Sequence, residues 1–228
     1  MKYIEIDNFL DDNQKKAVWH ELDAFANKDY LIDSGRDWTT SKDGTGKPLA
    51  KSSFRMFPNI IYSDVGFDVS PICRTRFKVY HMMKDVTKNI PEYRLLSQCE
   101  NWSTIAHYYE EGGQYKPHTD RSIYTGLLFL AKDQTKFTGG DLKFEDLGET
   151  VKFADNKLVF FPSYLLHEST PLKFKENKSG TPFYPPNNQA QIFGDGSGFG
   201  KITLSYFFTI NFDSQDQGSI EQFTRNNA

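Results

Sequence analysis

Three side chains carry the strongest chemical signal in this chain. His118-Thr119-Asp120 follows the run Tyr109-Glu110-Glu111-Gly112-Gly113-Gln114-Tyr115-Lys116-Pro117, and His167 comes well downstream. Two imidazoles and one carboxylate can occupy one face of a ferrous ion and leave the opposite face open to other ligands, as in non-haem Fe(II) centres. Residues i and i+2 share a face of an extended segment, so His118 and Asp120 are placed side by side if the segment is a strand. As a bare pattern H-x-D is weak in a chain with 5 histidines and 30 acidic residues. The plain alternative is a turn-stabilising pair at a strand end, with His167 a core histidine behind Leu165-Leu166. The order of the surrounding elements bears on that choice.

Those elements read as short strands with turns between them. Trp102 to Tyr109 is a strand candidate, and Gly112-Gly113 allows a sharp turn after it. Ile123 to Leu130 is apolar and ends at Lys132-Asp133-Gln134. Gly139-Gly140 opens Asp141-Leu142-Lys143-Phe144, which alternates polar and apolar as a half-buried strand does. Lys157 to Phe161 is stopped by Pro162-Ser163, just before His167, and Gly200 to Ile210 closes the series. Strands at near-regular spacing indicate a sandwich or a double-sheet jelly roll.

From Ile105 to Phe212 the chain resembles the double-stranded β-helix of the Fe(II)/2-oxoglutarate-dependent dioxygenases, and within them the prolyl 4-hydroxylase-like branch. The matching pieces are Tyr109-x-x-Gly-Gly-Gln-x-Tyr-x-x-His118-x-Asp120, then Gly139-Gly140-Asp141-Leu142-x-Phe144, then Phe160-Phe161-Pro162-Ser163 leading to His167, then Gly200-Lys201. The resemblance implies a mainly β fold with flanking α-helices around a jelly-roll core. It implies His118, Asp120 and His167 as iron ligands, with 2-oxoglutarate as co-substrate, O2, and ascorbate as reductant. Lys201 is implied as the partner of the distal 2-oxoglutarate carboxylate, a point charge where many relatives use a forked arginine. Thr203 and Ser205 share a strand face with Lys201 and can add a hydroxyl there. Tyr109 matches the family tyrosine near the co-substrate, its phenol a donor to a carboxylate. The implied reaction decarboxylates 2-oxoglutarate to succinate and carbon dioxide and hydroxylates an unactivated C–H bond.

Tyr108 and Tyr109 point to opposite faces, and Tyr109 is the one expected in the cavity. His107 shares its face, where it either lines the pocket or, as the leading expectation, packs in the core, and His20 and His81 are expected in structural or exposed positions. Two departures stand out. Relatives often carry a tyrosine in the strand after H-x-D, where this chain has Leu128-Phe129-Leu130, so that phenol is either missing or supplied by Tyr124. The basic residue also comes late, because Lys173 to Phe199 intervenes, rich in Gly, Pro and Asn. A loop of that length is a substrate-covering segment or a passive insertion. If Lys173 or Lys175 binds the co-substrate, Lys201 does not.

The chain reads as one domain over 1–228, with 1–100 as helical and strand support and 101–212 as the catalytic core. Lys2 to Ile6 is a short strand. Asp11 or Asp12 can cap a helix through Ala17, Trp19, Leu22 and Phe25, and a second helix spans about Pro71 to Lys88 with Phe77, Tyr80 and Val86 apolar. Asp33 to Ser53 reads as loop. A net charge of -3 and a pI near 6.0 give no electrostatic reason to expect nucleic acid. No run has the length of a membrane span, and the first residues lack the apolar core of a signal peptide, so a soluble cytoplasmic protein is expected. Cys73 and Cys99 are expected as reduced thiols.

The leading functional expectation is hydroxylation of a peptidyl residue, proline first. A second keeps the iron chemistry and gives it a free amino acid or another small molecule. A third is a jelly-roll binding module without catalysis, which intact His118, Asp120 and His167 argue against. A nucleobase demethylase is disfavoured because Arg225 is the one arginine after Lys201. Monomer and homodimer stay equally open.

Overall fold

The computed structural model describes residues 3–25, 32–33, 40–62, 66–175 and 200–210. In chain order the elements are β1 (Ile4–Ile6), α1 (Asp12–Ala24), β2 (Ile32–Asp33), β3 (Ala50–Met56), α2 (Pro58–Ile61), α3 (Pro71–Thr87), β4 (Asn101–His118), β5 (Tyr124–Leu130), β6 (Phe137–Gly139), β7 (Leu142–Phe144), β8 (Glu149–Val151), β9 (Lys157–Pro162), β10 (His167–Ser169), β11 (Leu172–Phe174) and β12 (Lys201–Thr209). The fold is mostly β, a curled antiparallel half-barrel with few helices, as the jelly-roll expectation required.

The main sheet runs β1-β9-β5-β12-β4-β10-β7-β8, with β3 on the other edge of β4 and β2 on β3. Strand β4 organises it. Residues 101–109 pair with β12, whereas Tyr115 and His118 pair with β10, so one long strand serves both halves of the half-barrel. The expected turn at Gly112-Gly113 is instead a bulge inside β4. Gly112 sits at φ +71°, and a Cβ on Gly113 would lie 2.7 Å from the Glu110 carbonyl and 2.8 Å from that of Ser52. Glycine supplies the bend and the close backbone approach without ending the strand.

Alternation along β12 divides its two faces. Ile202, Leu204, Tyr206 and Phe208 enter the main core, together with Leu128 and Phe160 from the neighbouring strands. Lys201, Thr203 and Ser205 point the other way, into a cavity. The helices cover the core face. Asp11 caps α1 in a capping box with Gln14, and Val18 and Leu22 are its buried apolar residues. Ser70 caps α3, which buries Ile72, Val79 and Met83. Glu21 of α1, 5% exposed, accepts from Ser70 Oγ at 2.6 Å and from the Ile72 amide at 2.7 Å, a carboxylate at the positive end of α3.

Three expectations need correction. Val86 is 52% exposed, because it lies off the stripe that α3 buries. Asp33 belongs to β2 and Ala50 to Ser53 open β3, so the segment read as loop ends in a strand paired to β4. Lys173 and Phe174 belong to β11, which pairs with β6, so the expected insert starts after them; residues 176–199 lie outside the described residues. Cys73 and Cys99 are buried, free thiols. No helix among the described residues is long and apolar enough to cross a membrane.

Candidate active site

The end of β4 and the start of β10 bring the three predicted ligands together. His118 and His167 are register partners across those strands. Asp120 follows two residues after His118, and its amide donates to the Ser163 carbonyl at 3.1 Å, which ties it to the end of β9. One ligand atom from each of the three lies within 4.8 Å of the other two. His118 Nε2 is 3.7 Å from Asp120 Oδ1, and His167 Nε2 is 3.5 Å from Asp120 Oδ2.

Each ring is held by its other nitrogen. His118 Nδ1 lies 2.8 Å from the Lys116 carbonyl, and His167 Nδ1 lies 2.8 Å from that of Leu165. A carbonyl can only accept, so both Nδ1 atoms carry the proton and both Nε2 lone pairs face Asp120. Burial, aided by His167 and opposed by Asp120, pushes His118 down to about 4, which keeps its ring neutral at pH 7. Asp120 Oδ2 accepts from Thr125 Oγ at 2.6 Å, and Thr125 in turn contacts Ser163 Oγ at 2.8 Å. Neutral, lone-pair-presenting imidazoles beside an oriented carboxylate are what a divalent metal requires.

The triad borders a cavity of about 420 Å³, whose wall is the polar face of the main sheet. Lys201 lies in that wall, 1% exposed, its ammonium donating to the Gly140 carbonyl at 2.6 Å and to Ser169 Oγ at 2.7 Å. Burial lowers its pKa to about 7 against the pull of Asp141. A Cβ on Gly140 would stand 2.9 Å from Lys201 Cδ, so glycine makes room for the lysine stem. Thr203 and Ser205 line the same wall, and Thr203 Oγ has no hydrogen-bond partner among the described residues. Tyr109 lines it too, but its hydroxyl lies 3.3 Å from His107 Nδ1, and the Lys201 ammonium rests 4.7 Å from the centre of its ring. Its ring therefore meets the lysine while its phenol meets a histidine.

The structure also places the other residues that the sequence singled out. His107, expected in the core, lines the cavity. Tyr124 lies on the core side, where its hydroxyl donates to the Glu92 carbonyl at 3.0 Å, and Phe129 of the same strand faces the cavity instead. Lys173 and Lys175 are exposed and outside the cavity lining formed by the described residues. His20 and His81 are exposed. Sequence reasoning missed Arg55, a buried guanidinium on β3 that lines the cavity and donates to the Tyr115 hydroxyl at 3.1 Å.

Comparison with known families matches residues 103–184 to the 2OG-Fe(II) oxygenase superfamily, the segment that holds all three triad residues. Over that segment the chain is similar to the 2OG-Fe(II) oxygenases. The fold of the chain is similar to that of a prolyl-4-hydroxylase from Pseudomonas putida, at 15% identity and a TM-score of 0.59, over 92% of this chain and 93% of that one. It is also similar to the viral collagen prolyl hydroxylase of Paramecium bursaria Chlorella virus-1, at 14% identity and a TM-score of 0.51, over 92% and 97%. A comparison with curated proteins finds no match. The description of the matched family names Fe(II) and 2-oxoglutarate, the metal and co-substrate that the sequence resemblance implies for this site. The donor set fits such a metal, since two lone pairs and a carboxylate converge at the cavity wall.

Proposed function

We propose that this oxygenase hydroxylates a peptidyl residue, proline first, with release of succinate and carbon dioxide. The observation that carries this reading is the convergence of His118, Asp120 and His167 on a cavity whose other wall holds a buried, cationic Lys201. When bound, iron couples the decarboxylation of 2-oxoglutarate by O2 to hydroxylation of a C–H bond. His118 Nε2, His167 Nε2 and an Asp120 oxygen would hold that iron, each fixed beforehand by a hydrogen bond on its far side. Lys201 would bind the distal carboxylate of 2-oxoglutarate, exchanging weak neutral acceptors for a charged one, with Thr203 or Ser205 adding a hydroxyl. Tyr109 contributes the face of its ring beneath the ammonium. Ascorbate belongs to this reading as a reductant for idle enzyme.

The fold likeness to prolyl hydroxylases supports proline as the acceptor. A free amino acid or another small molecule is the second reading, favoured by the polar side chains His107 and Arg55 that line the cavity beyond Lys201. The test is anaerobic titration of the protein with Fe(II) and then 2-oxoglutarate, following the weak visible charge-transfer band of the chelate. A band that needs both additions and disappears in Asp120→Ala is expected, followed by succinate release stimulated by proline-containing peptides. No band in folded, iron-binding protein removes the co-substrate site.

A further inference from the structure

We propose that His107 and Arg55 form a second recognition point in the cavity, apart from Lys201, that takes a carboxylate carried by the primary substrate. This rests on the oxygenase reading above and narrows its substrate class to molecules with an anionic group: a free amino acid, or a peptide with a terminal or side-chain carboxylate near the reacting residue.

The sheet register defines the subsite. Arg55 on β3, His107 on β4, Thr203 on β12 and Phe129 on β5 are successive register partners, one row across four strands, and all line the cavity. Lys201 and Tyr109 form the next row on the same face. Same-face rows two residues apart are separated by roughly 6.5 Å of strand, so His107 belongs to a different ligand atom from the one Lys201 meets.

The chemistry of the row is that of donors. His107 is 6% exposed, and its Nε2 has no hydrogen-bond partner among the described residues. Its Nδ1 faces the Tyr109 hydroxyl at 3.3 Å. The phenol, the more acidic of the two groups, donates there, which leaves the proton of the neutral ring on Nε2. Burial, reinforced by Arg55, His118 and Lys201, holds His107 well below the usual histidine range, so the ring stays neutral at pH 7. Beside it the Arg55 guanidinium, 3% exposed, donates to the Tyr115 hydroxyl. The Tyr115 ring is centred 4.0 Å from that of His118, so this cluster abuts the metal side of the cavity. An imidazole N–H and a guanidinium together suit an anionic group that only accepts, and of such groups the carboxylate is the one that amino acids and peptides carry without modification. A buried donor without a partner is costly to keep, and a bound carboxylate oxygen would satisfy it.

The test separates this subsite from the co-substrate site. Protein loaded with Zn(II) in place of iron and saturated with 2-oxoglutarate is titrated with 13C-acetate and, separately, with 13C-acetamide, followed by NMR line broadening. Acetate is expected to bind about tenfold more tightly than acetamide, and His107→Phe or Arg55→Met to weaken acetate about tenfold or more. His107→Gln, which restores an N–H donor, recovers part of that loss, and 2-oxoglutarate affinity stays near wild type in every variant. Should Arg55→Met fail to fold, the two His107 variants decide alone. Equal binding of acetate and acetamide, or acetate binding that neither variant changes, as direct metal ligation would give, overturns the proposal. So does a His107→Phe variant that loses 2-oxoglutarate in the same ratio as acetate. If wild-type protein binds metal but no 2-oxoglutarate, the oxygenase site assignment itself falls, and this inference with it.

Discussion

Strand β12 faces two regions of the molecule. Toward the helices it sends Ile202, Leu204, Tyr206 and Phe208, each 0–1% exposed, and toward the cavity Lys201, Thr203 and Ser205, each 1–5% exposed. Burial is nearly the same on both faces, but the chemistry is opposite. On the core side apolar neighbours from β5, β9 and α3 complete every contact except that of the Tyr206 hydroxyl. On the cavity side an ammonium, two hydroxyls and, one and two strands away, an imidazole and a guanidinium are buried without an apolar reason to be there. Polar burial of this kind opposes folding, so it marks where the sheet is shaped for something other than its own stability.

The sharpest way to break that comparison is to delete one group on each side. Asp120→Ala or His167→Ala is expected to abolish iron binding and succinate formation while thermal unfolding stays close to wild type, because the triad lies outside the main core. Iron content and a melting curve check it, and unchanged succinate formation would remove the proposed site. Leu204→Ala should do the reverse. A fully buried leucine deleted from the core costs about 2–5 kcal/mol of stability, read from urea unfolding, with metal affinity of the folded fraction unchanged. If Leu204→Ala loses iron at constant stability, the two faces are not independent.

Much of this division was legible in the chain. The alternation of β12 placed Lys201 on its strand, and the H-x-D triplet with the stop at Pro162-Ser163 before His167 singled out the three residues that converge. What stayed hidden depends on geometry that residue type does not encode. Glycines at positive φ look the same in a turn and in a bulge, so the continuity of β4 through Gly112-Gly113 was invisible. Strand β3 lacks a clean period-2 pattern and carries Ser52 at φ +47°, so its first half read as loop, and Arg55 just beyond drew no reading at all. His107 had the right parity for the cavity. It was assigned to the core because parity fixes a face and not what covers that face. Tyr124 failed for the complementary reason, since it lies on the core face of β5, where Tyr93 and Phe160 stack near it.

Lys201→Met sharpens the comparison, because it should help the fold and harm the function. Loss of a charge-assisted hydrogen bond worth about 1.5–3 kcal/mol raises the 2-oxoglutarate requirement roughly tenfold to a hundredfold. The ligand-free protein responds in the opposite sense. The folded pKa of Lys201, about 7, lies below the unfolded lysine value of about 10.4, so the unfolded chain holds more protons between those limits. Wild-type stability therefore rises with pH across that window, and the penalty of burying the charge is complete below pH of about 7. Lys201→Met removes the penalty, so its stability advantage is largest below pH of about 7 and fades as pH approaches about 10.4. Urea unfolding at several pH values measures this, and a flat difference would mean that the ammonium is better satisfied by Gly140 and Ser169 than its burial implies.

The smallest effect is expected at Thr125, which belongs to neither face but connects them. It is fully buried on β5, and its hydroxyl donates to Asp120 Oδ2 at 2.6 Å while contacting Ser163 Oγ at 2.8 Å. Thr125→Val keeps the shape and the β-branch, so the sheet should form as before, but the carboxylate loses the bond that fixes its orientation. Loss of such an outer partner weakens metal binding by about 10–100-fold without removing a ligand. Competition with a fluorescent chelator measures the affinity, and the co-substrate requirement at saturating metal should stay near wild type. Thr125→Ser separates orientation from packing, because it restores the hydroxyl and removes only the methyl group. If Thr125→Ser and Thr125→Val weaken the metal equally, Thr125 acts by packing alone. If Ser restores affinity, the wall of the cavity positions Asp120 through a hydrogen bond that starts inside the sheet.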